Sequence, residues 1–201
     1  MKQQVVFVIL DQFADWEYGP LAAELNNPEV DHPAYEVVYA SNTLEPITSI
    51  GGLRALPHYT FETIPESAAA LILVGGDSWR KPEAAPAADL AADFLSRGKV
   101  VGAICDATRF LGAKGLLNNY RHTMNFRDST EGEPLYQNAG GFVQEDAVRD
   151  RNLVTANGNA PYAFTREVLL ALGTKPEEAD KWLDFFTLGL HQALAKHYPQ
   201  G

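Results

Sequence analysis

Three observations predict an α/β fold with a mostly parallel sheet and helices on both faces. Short, continuous runs of β-branched and apolar residues recur along the chain. Stretches with helical spacing and helix-stop signals alternate with them. Glycines and helix starts fall directly at the ends of those runs, as where a buried strand turns into a helix.

The first run, residues 5–10, is uninterrupted and β-branched, as in a strand buried on both faces. A helix is predicted over 17–26, with Pro20 in its first turn and Asn26-Asn27-Pro28 to stop it. A second strand covers 35–40, and Gly51-Gly52 between apolar residues marks a short hairpin over 48–56. The run 70–74 is another buried strand, ending on Gly75-Gly76. An Ala-rich helix over 83–96 leads through Arg97-Gly98 into the apolar run 99–104, and a further helix opens at Asp106 and reaches Ala113. A late strand at 153–156 precedes a helix over 162–172, and a C-terminal helix spans 176–197 with Pro176 in its first turn. With no internal repeat, linker or low-complexity tract, residues 1–201 read as a single domain.

Composition narrows the function. A 46% hydrophobic share is ordinary for a globular chain. A formal net charge of −10 argues against a nucleic-acid or anionic-membrane surface, both of which need clustered Lys and Arg. The N-terminus is too short in apolar length and too quickly acidic for a signal peptide, so a cytoplasmic protein is expected. A single cysteine rules out an intramolecular disulfide and a cysteine-rich zinc site; neither a metal site nor a cofactor is implied.

That cysteine, Cys105, sits where the run 99–104 meets the helix that opens at Asp106. A strand turning sharply into a helix with a nucleophile at the corner is the nucleophile elbow, and the crowded turn needs small residues two before and two after. Both are alanine here, Ala103 and Ala107. The free N–H groups of a helix start stabilise a thiolate. The plain alternative is a small buried hydrophobe. Gly75-Gly76-Asp77 directly follows a buried strand, and its amides, with the N–H of Asp106, form a candidate oxyanion hole; a simple turn is the alternative. Asp15-Trp16-Glu17 lies at the same sheet edge, where a protonated Glu hydrogen-bonded to a thiolate does chemistry and helix capping does not. Of the five histidines, His122 is the candidate base, being just downstream of the Cys105 helix. His32 precedes a proline in a polar loop, His58 lies past the hairpin, and His191 and His197 are on the C-terminal helix.

Phe13-Ala14-Asp15-Trp16-Glu17, Leu71-Ile72-Leu73-Val74-Gly75-Gly76 and Gly102-Ala103-Ile104-Cys105, with weaker stretches at Gly51-Gly52-Leu53 and Leu153-Val154-Thr155-Ala156-Asn157-Gly158, resemble the ThiJ/PfpI superfamily. Its domain is like that of class I glutamine amidotransferases. The resemblance implies a flavodoxin-like three-layer sandwich with Cys105 at the elbow, Glu17 as the acidic residue contacting the thiol, and Gly75 or Gly76 as oxyanion donor. Two departures stand out. Protease-like members carry His directly after the cysteine, where this chain has Asp106. Other members place a histidine after the next strand, a position that falls at Asn125, three residues past His122. Peptidase activity is therefore not expected. The expected function is a small-molecule hydrolase, amidotransferase-like or glyoxalase-like enzyme using Cys105, Glu17, Asp106 and His122, without a standard Cys–His pair. The alternative is a redox-sensing or ligand-binding protein that uses Cys105. Expected partners are a small-molecule substrate or oxidant and a second copy of the chain, as a homodimer. Trp16, Tyr18 and Trp79 are its candidate interface aromatics.

Overall fold

A computed structural model describes residues 2–27 and 35–199. The expected helix stop Pro28 and the loop residue His32 lie outside the described residues. The elements run β1 (Gln3–Val8), α1 (Asp15–Leu25), β2 (Tyr35–Ser41), β3 (Ile47–Thr48), β4 (Arg54–Ala55), β5 (Tyr59–Thr60), β6 (Ala70–Leu73), α2 (Pro86–Ser96), β7 (Val100–Ile104), α3 (Asp106–Ala113), β8 (Ala147–Asp150), β9 (Leu153–Ala156), α4 (Pro161–Ala171), α5 (Pro176–Thr187) and α6 (Leu190–His197). The main sheet has seven strands in the order β5-β2-β1-β6-β7-β9-β8. Every pair in it is parallel except β8–β9. β3 and β4 form the separate hairpin around Gly51-Gly52.

The pleat explains why the strand runs lack polar residues. Alternate side chains enter opposite layers, and both layers are apolar. Val6, Val8, Leu71, Leu73, Val101 and Ala103 face a core with Phe94 of α2 and Phe110 and Leu111 of α3. Val5, Phe7 and Ile72 face the other core, with Leu21 and Leu25 of α1 and Phe164 and Val168 of α4. This is the expected sandwich with helices on both faces.

Several boundaries differ from the sequence-based expectation. The first helix begins two residues earlier, at Asp15, which puts Pro20 inside the helix rather than in its first turn. A 3-10 turn over Pro82–Ala84 precedes α2, and Pro86 occupies the first turn of the helix proper. The single C-terminal helix expected over 176–197 is two, because Gly189 adopts φ +82°, a left-handed conformation that ends a helix. Asp184 of α5 then accepts hydrogen bonds from Lys196 and His197, both at 2.6 Å, which fold α6 back onto α5. The sequence pattern gives no sign of the edge strands β5 and β8, each of which is short and only partly buried. Among the described residues no helix is long and apolar enough to cross a membrane.

Candidate active site at the strand–helix corner

Cys105 stands between β7 and α3 with φ +60° and ψ −130°, one of three non-glycine residues at positive φ among those described. Such a conformation costs about 1–3 kcal/mol and persists only where the surroundings enforce it. They do so here: the Cys105 N–H donates to Ala156 of β9 at 3.0 Å, and its C=O accepts from the Thr108 N–H and hydroxyl at 3.0 and 2.6 Å. The corner is therefore the elbow that Ala103 and Ala107, both fully buried, leave room for.

Glu17 of α1 is the most unusual side chain of the site. It is an acid with no solvent exposure. Its Oε2 accepts the Gly75 N–H at 2.8 Å. Its Oε1 is buried with no partner besides the thiol and lies on the side of the sulfur: a Cβ added at Gly158 would be 2.8 Å from Cys105 Sγ and 3.1 Å from Glu17 Oε1. Burial pushes the Glu17 carboxyl up to about 7, a shift that the Asp106 charge reinforces and hydrogen bonds from Cys105 and Gly75 oppose. Burial, followed by the Glu17 charge, pushes the Cys105 thiol up to about 11, while Asn125 and the Asp106 N–H favour the thiolate. The two groups therefore titrate as a pair that loses one proton near pH 7 and keeps the second well above it. Asp15, the other acid of that motif, is tied to the hairpin, accepting from Ser49 Oγ at 2.5 Å and the Gly51 N–H at 2.7 Å.

The expected base is not brought to the sulfur. His122 is fully buried, with Nδ1 at 2.9 Å from the Tyr120 C=O and Nε2 at 2.8 Å from the Tyr136 hydroxyl. Both ring nitrogens are thus engaged elsewhere, and burial lowers the imidazole pKa. Asn125 stands at the sulfur instead. Its Nδ2 donates to Sγ at 3.3 Å, and its Oδ1 accepts the Gly158 N–H at 2.8 Å. The remaining expected groups divide as follows. The Gly75 N–H is taken by Glu17, whereas no described hydrogen bond takes the Gly76 N–H. The Asp106 N–H faces the sulfur, and its carboxylate turns to Arg80. Trp16 is half exposed and donates its indole N–H to the Gly158 C=O at 3.0 Å, roofing the site. Trp79, an expected interface aromatic, is instead core, 3% exposed and packed at 4.9 Å on Phe110. Beside Asn125 lies an open cleft of about 1200 Å³, bounded by Phe126, Tyr136, Phe142, Asp146 and Asn157 among others.

Sequence reasoning located Asn125 only as the place of a missing histidine, and Gly158 only within a weak motif. For Arg80 there was no local signal, since its partner is 26 residues away in sequence. Replacing Asn125 by alanine removes the side-chain amide that donates to the sulfur. The expected result is a 3–10-fold slower alkylation of Cys105 at neutral pH, the order of about 1 kcal/mol for a partly exposed hydrogen bond. An unchanged rate constant would show that the amide does not stabilise the reacting sulfur.

Comparison with known proteins agrees with this architecture. The pattern of the DJ-1/PfpI family matches residues 3–171. The chain is 36% identical over 197 residues to a Bacillus subtilis (strain 168) protein named "Uncharacterized protease YdeA", covering 97% of this chain and 96% of that one. A crystal structure of a DJ-1 superfamily protein from Agrobacterium tumefaciens superposes with a TM-score of 0.84 at 34% identity, over 92% of this chain and 98% of that chain. A thiJ/pfpI family protein from Bacillus anthracis does so with a TM-score of 0.89 at 30% identity, over 96% and 94%.

Proposed function

Since the chain belongs to the DJ-1/PfpI family, we propose that it is a cysteine-dependent enzyme acting on a small, electrophilic carbonyl compound, with Glu17 in the role usually filled by histidine. The observation that carries this reading is the buried Glu17 carboxyl beside the sulfur, with one oxygen left to the thiol alone and a pKa near 7. A general base works best when its pKa lies close to the working pH. In the singly deprotonated pair, Glu17 takes the thiol proton as Sγ attacks the carbonyl carbon. The new S–C bond replaces the carbonyl π bond, and the proton passes to the developing alkoxide, giving a hemithioacetal. The Asp106 N–H, which faces the sulfur, is the donor placed for that oxygen.

An aldehyde suits this site better than a peptide. Amide cleavage requires an acid placed at the departing amine as well as a base at the sulfur; Glu17 is fully buried on the sulfur side, and none of the histidines whose ring nitrogens are bonded, His58, His122 and His197, bonds to the sulfur. The "protease" in the name of the Bacillus subtilis relative is therefore not extended to this chain. The test pairs a small-aldehyde panel with a peptide and casein panel, each run with the wild type and Cys105→Ala. Aldehyde consumption that disappears in Cys105→Ala, with no peptide cleavage, is the expected result. Robust peptide cleavage dependent on Cys105 would overturn it.

A second reading is favoured by one observation: a protonated Glu17 Oε1 can donate to an oxygen placed on the sulfur. Cys105 would then be a redox site oxidised to a sulfenic or sulfinic acid. A mass gain of one or two oxygens on Cys105 under dilute peroxide, together with no turnover of any aldehyde, would favour it.

A further inference from the structure

Asp106 places a carboxylate directly after the nucleophile, where an unshielded negative charge opposes thiolate formation. The structure shows what that charge is occupied with. Arg80 reaches across from the turn after β6 and grips both Asp106 oxygens, Nε to Oδ2 and Nη2 to Oδ1, each at 3.1 Å. Two parallel N–H donors on one carboxylate fix its orientation as well as its charge.

The presentation of Arg80 is built into the fold. It ends the 3-10 turn Asp77–Arg80, and its neighbour Trp79 is buried with the indole N–H donating to the Val74 C=O at 2.7 Å. Trp79 also packs on Phe110 of α3, so the turn is anchored to the helix whose first residue is Asp106. Arg80 itself is 65% exposed and its partner 18%, so the guanidinium covers the acid from the solvent side. Asp106 thus acts on the site in two opposed ways. Its N–H assists the sulfur, while its carboxylate charge disfavours the ionised form of Glu17.

We propose that Arg80 is a positioning residue for the nucleophile: by clamping the Asp106 carboxylate it offsets part of that charge at the Cys105–Glu17 pair and leaves the Asp106 N–H to serve the sulfur. The inference rests on the thiol–carboxyl reading above. It concerns only the deprotonation of the pair, so it is tested without any substrate.

The experiment is the pH profile of Cys105 alkylation by iodoacetamide at low ionic strength, in the wild type, Arg80→Ala, Arg80→Lys, Asp106→Asn and the Arg80→Ala/Asp106→Asn double variant. The wild type is expected to show a reactivity step near pH 7. Arg80→Ala moves the step to higher pH and slows the reaction below it by about 3–10-fold, the size of an exposed like-charge effect. Arg80→Lys, a point charge without the fork, falls between the two. The double variant matches Asp106→Asn, because with no carboxylate left Arg80 has nothing to neutralise. An Arg80→Ala profile that superimposes on the wild type overturns the inference. So does an equal shift in the Asp106→Asn background, which would mean that Arg80 acts on the sulfur directly. A wild-type profile with no step near pH 7 overturns the Glu17–Cys105 chemistry itself, so the two failures are distinguishable.

Discussion

Glu17→Gln is expected to make the protein more stable than the wild type above pH 7, and not below pH 4.5. The folded carboxyl titrates near 7, against 4.5 when unperturbed. A group with a raised folded pKa gives its full stability below the unfolded value and loses it as pH rises through the folded one. The wild type therefore forfeits about 3 kcal/mol between those limits, while an uncharged glutamine forfeits nothing. The introduced glutamine keeps an oxygen for the Gly75 N–H, so the variant leaves no backbone donor stranded. In a chain of this size the difference amounts to about 6–12 °C in Tm. Thermal unfolding of both proteins at pH 4.5 and pH 8 measures it, and a Tm difference that does not change with pH would show that Glu17 is not held protonated by burial. The same substitution is expected to erase the step in Cys105 alkylation near pH 7. A single later rise should remain, below about 11 because the like charge is gone.

Gly75→Ala is expected to disrupt the fold around the site and the chemistry together. A Cβ there would lie 2.2 Å from Glu17 Oε2, 2.5 Å from Cys105 Cβ and 2.9 Å from the Ile104 carbonyl oxygen. Two of those neighbours belong to the strained corner at the end of β7, which has no slack to give. Overpacking of this kind costs about 1–3 kcal/mol, and more where backbone must move. The expected outcome is a Tm lower by at least about 3 °C together with an alkylation rate reduced at least tenfold at pH 8. A variant with wild-type stability and reactivity would mean that Gly75 is not the contact between the acid, the nucleophile and the sheet. Neither result requires the natural substrate.

How far the sequence was legible depended on whether a feature was local. The buried strands were readable because both faces of the sheet are apolar, so β1, β6 and β7 appear as unbroken runs. The elbow was readable because the constraint on Ala103 and Ala107 is two residues long. β8 was not, because an edge strand exposed on one side carries residues such as Arg149 and Asp150 that give no apolar signal. The C-terminal break at Gly189 was visible as a glycine, but helical spacing continues on both sides of it. At the site, Glu17 followed from its motif, as did the prominence of Cys105. His122 was placed by proximity in the chain, and the fold sends it instead to Tyr136 and Tyr120. Contacts between distant segments, Asn125 with the sulfur and Arg80 with Asp106, have no counterpart in local pattern.

The margins of the sheet bear on how the protein behaves at high concentration. An open strand edge is a template on which another chain can add. Here β5 covers only Ala40 and Ser41 of β2, so among the described strands the rest of β2 is edge on that side, and β8 ends the opposite margin running antiparallel to β9. The outward-pointing Arg149 of β8 is held by Glu167 at 3.1 Å, which lines that margin with paired charge. Strand-to-strand polymerisation is thereby disfavoured at the β8 margin, while the sheet stays fully parallel in its interior.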